Sequence, residues 1–162
     1  MSAPGYSPYV MGQSTELRLP ATRENVVVAK RTAAAVGTVA GFDMDAVDDL
    51  TIAVAQAFEN AISCLERSGY LAGQVRMTFK QHARGLEVNV RSAVSREAEL
   101  EAMSHAQALH EQATVAQRRQ EEEAAAVDLA LRLMGLFVDQ SSYRVDERTG
   151  GLQVRLTKYR VA

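Results

Sequence analysis

Residues 43–67 read DMDAVDDLTIAVAQAFENAISCLER, and this stretch decides the fold. Val47, Leu50, Val54, Ala57, Phe58, Ala61, Ile62 and Leu65 recur at helical spacing, so one side of a long helix is apolar and seeks a core. Asp43 or Asp45 is the predicted N-cap, because a short carboxylate can accept a free backbone N–H of the first turn. The opposite side carries Asp49, Gln56, Asn60 and Ser63. Cys64 lies beside the apolar stripe and is expected to be a small core residue.

Toward the N-terminus, Gly41 ends a second predicted helix that runs from an N-cap at Thr22 to about Ala40. Its packing stripe is read as Val28, Thr32, Ala35, Val36 and Val39. Before it, STELRL (14–19) alternates, with Leu17 and Leu19 on one side of a half-buried strand closed by Pro20. Residues 1–13 (MSAPGYSPYVMGQ) have no periodicity and are read as a flexible arm.

Toward the C-terminus, QVRMTFK (74–80) and GLEVNVR (85–91) alternate strictly and meet at HARG (82–85), a hairpin signal. Residues 95–139 contain no proline and only Gly135, and they are rich in helix formers. The first part, 96–123, holds three Arg against seven Glu and has sparse apolar residues. A mobile or exposed helical insert over about 95–125 is therefore expected, followed by a buried helix over the dense apolar run Val127–Val138. The chain closes with SSYRVDERTGGLQVRLTKY (141–159), a second hairpin about Thr149-Gly150-Gly151.

Five strands and three packing helices in this order predict an α+β fold. The expected architecture is a two-layer sandwich, with a mixed, mostly antiparallel sheet of about five strands and three helices on one face. Residues 14–162 form one domain on this reading. Phe42, Phe58, Phe79 and Phe137 come from four different elements, and the core between the layers is their natural meeting place.

Composition bounds the function. The chain has 162 residues, 18 Lys+Arg and 20 Asp+Glu, for a net charge of −2. Such a chain has no global electrostatic drive onto nucleic acid or an anionic membrane. No apolar run approaches the length of a membrane span, and no basic segment followed by an apolar one opens the sequence. A cytoplasmic protein is expected. One cysteine excludes an internal disulfide and a multi-cysteine zinc site. No glycine-rich phosphate loop is present, and His82, His105 and His110 do not share a metal-binding spacing. One constellation remains: Gln56 and Asn60, four apart on one side of the long helix. Read from spacing alone, they are two exposed amides.

The stretch LRLPATRENVVVAKRTAAAVGTVAGFDMDAVDDLTIAVAQAFENAISC (17–64) resembles the bacterial anti-sigma factors and serine-protein kinases of the partner-switching systems. These belong to the Bergerat-fold (GHKL, histidine-kinase-like) ATPases, with histidine kinases, gyrase B and Hsp90. The resemblance resumes in LMGLFVDQSSYRV and GGLQVRLTKY. It implies the histidine-kinase-like ATPase fold, a homodimer, and a sigma factor or an anti-anti-sigma protein as partner.

The nucleotide motifs of that family are only partly matched. Its helical motif carries a Glu as general base and, four residues later, an Asn that holds Mg²⁺. Asn60 matches the Asn and is the candidate metal and cofactor residue, but Gln56 stands in the Glu position, and an amide accepts no proton at neutral pH. The family's adenine-reading Asp and the Gly after it fall where this chain has Arg91, Ser92 and Ala93. The glycine-rich start of its last helix, which cradles phosphate, is replaced by AAAVDLALRL. The cofactor candidates are thus Gln56, Asn60, Arg91 and Ser92, with no catalytic base.

Three functions follow as expectations. The first is an anti-sigma-like regulator that acts by protein binding, with no cofactor and with kinase activity lost. The second is an active ATP-dependent serine kinase of an anti-anti-sigma factor that takes Asp49 or Glu59 as base, so that ATP or ADP with Mg²⁺ is the cofactor it implies. The third is a non-catalytic docking domain that uses the helical insert.

Overall fold

The structure is a computed structural model that describes residues 13–70, 73–97, 100–101, 113–146 and 149–161, with residues 113–120 and 123–124 described by their backbone alone. Its elements are β1 (Ser14–Pro20), α1 (Val26–Val39), α2 (Met44–Arg67), β2 (Gln74–Gln81), β3 (Gly85–Ala93), α3 (Ala113–Met134), β4 (Gln140–Val145) and β5 (Leu152–Tyr159). The sheet order is β1-β2-β3-β5-β4, and every ladder is antiparallel, so the sheet has no parallel pair. The α+β sandwich read from the sequence is the observed architecture.

Strand alternation divides the sheet into a buried and an open face. Val75, Met77 and Phe79 of β2, Leu86, Val88 and Val90 of β3, and Leu152, Val154 and Leu156 of β5 are all buried toward the helices. α2 lies across them, and α1 and α3 flank it. Leu50, Val54, Ala57, Phe58, Ala61 and Ile62 meet the sheet in one continuous core. Fully burying an aliphatic or aromatic side chain of this kind stabilises by about 1.5–3 kcal/mol, so α2 is held by packing more than by propensity. Phe42, Phe58 and Phe79 are buried and Phe137 packs against the same core. Cys64 is free and buried, as expected.

Local chemistry sets the boundaries. Asp43 Oδ1 accepts from the Ala46 amide at 2.8 Å and so caps α2. Gly41, at φ 86, makes the turn before it, in a region that favours glycine. Gly85 is required for a different reason. A Cβ there would lie 2.0 Å from the Lys158 carbonyl oxygen, so only hydrogen allows β3 to approach β5.

Several expectations are corrected. Thr22 does not cap the helix with its side chain. Its hydroxyl accepts from Asn25 Nδ2 at 3.1 Å, and a 3₁₀ turn over Arg23–Asn25 precedes α1. α1 packs through Val26, Ala29, Ala33 and Gly37, whereas Val28 and Val39, placed in the stripe, are 41% and 67% exposed. The small residues win the core position because they let α1 approach α2 closely. A Cβ on Gly37 would already meet Leu50 at 3.2 Å.

The expected boundary near residue 125 does not break the chain's helix, because α3 runs through it. Only Leu131, Met134 and Val138 of the dense run are buried, while Leu129, Leu133 and Leu136 are exposed. The arm lies outside the described residues except Gln13, whose carbonyl accepts from the Gln81 amide at 3.0 Å. His105 and His110 also lie outside them. His82 is exposed, 3.7 Å from a Glu87 carboxylate oxygen.

Candidate functional site

The site read from the sequence is built on the flank of α2 that carries Asp49, Gln56 and Asn60. Asp49 shows where this flank looks. Its carboxylate is 3.6 Å from Lys158 Nζ of β5, and that ammonium also donates to the Phe137 carbonyl at 3.0 Å, in the 3₁₀ turn after α3. The flank therefore faces the side of the core that α3 and β5 close.

Asn60 is not an exposed amide. Its residue exposure is 6%, and Nδ2 is buried with no hydrogen-bond partner among the described residues. A buried donor without a partner costs about 1–3 kcal/mol, and an amide left in this position suits a ligand-facing role. Gln56, one turn earlier, is half-buried. Glu59 is exposed and sits about 100° around the helix from Asn60. Arg67 lies seven residues beyond Asn60 on the same flank. Its Nη2 donates to Cys64 Sγ at 3.2 Å, and its Nε is buried with no partner among the described residues. The sequence reading passed over Arg67, although its heptad spacing from Asn60 is a usable signal.

Ser92 joins this side of the sheet. Its hydroxyl donates to the Ala61 carbonyl at 3.2 Å and accepts from the Leu152 amide at 3.2 Å. The hydroxyl is therefore committed to holding α2, β3 and β5 together. Arg91 is not brought to the site. Adjacent strand residues point to opposite faces, so Arg91 stands on the open face of the sheet, exposed, with Arg76 and Gln153 as its cross-strand neighbours.

These positions test the fit of a magnesium–nucleotide group. The orphaned amide of Asn60 fits a ligand-facing role. The rest of the donor set does not complete one: Gln56 brings no carboxylate, the Ser92 hydroxyl is neutral and already engaged by Ala61 and Leu152, and Gly135 lies in the 3₁₀ turn at the far end of α3. No group of three or more His, Cys, Asp or Glu side chains that could hold a metal occurs among the described residues. No helix among them is long and apolar enough to cross a membrane.

The profile of the histidine kinase-like ATPase domain matches residues 19–158, from the end of β1 to the end of β5. The chain belongs to the histidine kinase-like ATPase domain family. No curated protein matches it significantly.

Proposed function

We propose that this chain is a protein-binding regulator of the anti-sigma-factor kind. It would work in a bacterial partner-switching module by holding a sigma factor or an anti-anti-sigma protein, with kinase activity lost. The observation that carries the reading is Gln56, one helical turn before Asn60. In a kinase of this fold a base at that position draws the proton from the attacking serine hydroxyl, and a neutral amide does not. The committed hydroxyl of Ser92 and the distant Arg91 support the same conclusion for the adenine end.

A homodimer is part of the proposal. Val27 and Val28, with Thr32, Ala35 and Val36, line a shallow groove of about 500 Å³ on the outer side of α1. Val39 lies further along the same helix and is 67% exposed. Exposed β-branched apolar residues along one helix are costly for a monomer and are expected to be covered by a second copy.

The test is affinity capture from a bacterial lysate with the purified full chain as bait and mass spectrometry as readout. Recovery of a sigma factor or of a small anti-anti-sigma domain is the expected result. Recovery of neither, from cells that express the chain natively, overturns the reading.

A second reading has one observation in its favour, the orphaned Asn60 amide, which suits a nucleotide-binding role that survived the loss of the base. Calorimetric titration with ATP and Mg²⁺ separates the two. Heat that Asn60→Ala abolishes supports a retained nucleotide, and absence of heat removes this reading.

A further inference from the structure

The open face of the sheet carries a feature that neither the family nor the regulatory reading assigns. Pairing places Arg18 opposite Arg76, Arg76 opposite Arg91, Arg91 opposite Gln153, and Gln153 opposite Arg144. One cross-strand row therefore runs over all five strands with an arginine on four of them. At a spacing of about 4.8 Å between strands the row is about 19 Å long. It lines a shallow concavity of about 700 Å³, walled by the end of β3 at Ala93 and Val94 and by the β4–β5 turn at Asp146 and Thr149.

Like charges placed directly opposite one another destabilise a sheet, so four guanidiniums in register need compensation. The protein supplies part of it. The Glu16 carboxylate accepts from Arg18 Nε and from Arg76 Nε, both at 3.0 Å. The Arg18 guanidinium, assisted by Arg76, holds that carboxyl below its ordinary range. Among the described residues Arg144 is bound only to the neutral amide of Gln153, through Nε at 3.1 Å and Nη2 at 2.9 Å. Arg91, in the centre of the row, has no hydrogen bond or ion pair among the described residues and is exposed. Glu87, the other acid of this face, lies two rows away and faces Arg155 and His82. Asp146 at the rim accepts from the Thr149 amide. The row thus keeps an excess of positive charge with its central donors unspent.

We propose that the open sheet face is a docking site for an acidic peptide segment of a partner protein, with Arg91 and Arg144 as its anchors. Charge complementarity selects the occupant. Guanidinium forks match carboxylates in planar, bidentate geometry, and an extended segment of about six residues spans the row. A nucleic acid fits less well, because Glu16, Glu87 and Asp146 on or beside this face repel a continuous phosphate backbone and the chain is net negative. The inference does not depend on the regulatory reading and stands or falls separately from it.

The experiment is an NMR titration of the isotope-labelled full chain with an acetylated octapeptide of alternating Glu and Ser, at low salt. A single-stranded DNA octanucleotide and the corresponding Lys-Ser peptide are the comparison probes. The expected result is saturable shifts at Arg18, Arg76, Arg91 and Arg144 with the acidic peptide, weakened about tenfold in the Arg91→Gln, Arg144→Gln double variant. Arg91→Lys, which keeps the charge and loses the fork, falls between the two.

Four results overturn the proposal: no shifts at millimolar peptide, shifts that the double variant leaves unchanged, tighter binding of the oligonucleotide than of the acidic peptide, or self-association of the chain that the double variant abolishes. The last would mean that the row meets the acidic helix of a second copy. A thermal melt of the double variant that matches the parent shows that the fold is intact, since both side chains are on the open face.

Discussion

Ser92 on the central strand β3 hydrogen-bonds the carbonyl of Ala61 on α2 at 3.2 Å, immediately after Asn60 in the chain. The same oxygen accepts from the Leu152 amide of β5 at 3.2 Å. One hydroxyl therefore ties α2, β3 and β5 together. Ser92→Ala is expected to cost about 1–2 kcal/mol, read as a lower urea midpoint with unchanged slope. A midpoint equal to that of the parent would show that the hydroxyl is not structural.

Asn60 makes the opposite prediction. Its buried Nδ2 has no partner among the described residues, so replacing the amide by a hydrocarbon of similar size removes a desolvation penalty and breaks no bond seen there. Asn60→Leu is expected to leave stability unchanged or raise it by about 1 kcal/mol. A loss larger than about 1 kcal/mol would mean that the amide is satisfied in solution.

The outer side of α1 tests the dimer. Val28 is 41% exposed and lines the apolar groove of that helix. Val28→Glu is expected to convert a dimer to a monomer in sedimentation velocity while the circular dichroism spectrum stays the same. A parent protein that sediments as a monomer at high concentration would remove the dimer from the account.

Glu16 gives a pH signature with a definite sign. Its carboxyl is held below the ordinary value of 4.5 chiefly by the hydrogen bond from Arg18, with Arg76 adding to it. A carboxyl whose folded value is depressed contributes stability that is fully present above the unfolded value and is lost as pH falls through the folded one. Because the group is fully exposed the contribution is small, and the titration itself is the better readout. The Glu16 side-chain carbon resonance is expected to titrate below 4.5 and to move back toward it in Arg18→Ala. No change in that variant would contradict the pairing.

The parts of the fold that packing dictates strongly were legible in the sequence, and the parts decided between similar residues were not. α2 was readable because its apolar stripe is dense and its flanks are polar. α1 was not, because VVVAKRTAAAVGTVA is apolar almost all round. Hydropathy picks the valines for the core, while close helix approach picks Ala29, Ala33 and Gly37.

The candidate site shows the same division. Asn60 sits at the margin of the α2 stripe, and the spacing alone gave no sign that it would be buried there. Arg91 and Ser92 are adjacent in sequence, yet the two-residue period of a strand sends them to opposite faces. The arginine row was visible only as outward-facing positions on separate strands, since the register that aligns them is a property of the assembled sheet.

The function proposed above has this scaffold act by binding and not by phosphoryl transfer. The most direct test is incubation of the full chain with radiolabelled ATP, Mg²⁺ and any anti-anti-sigma protein that the affinity capture recovers. The account predicts no label on that partner above the level of a reaction without the chain. Label on a partner serine that Asn60→Ala abolishes would contradict it and restore the kinase.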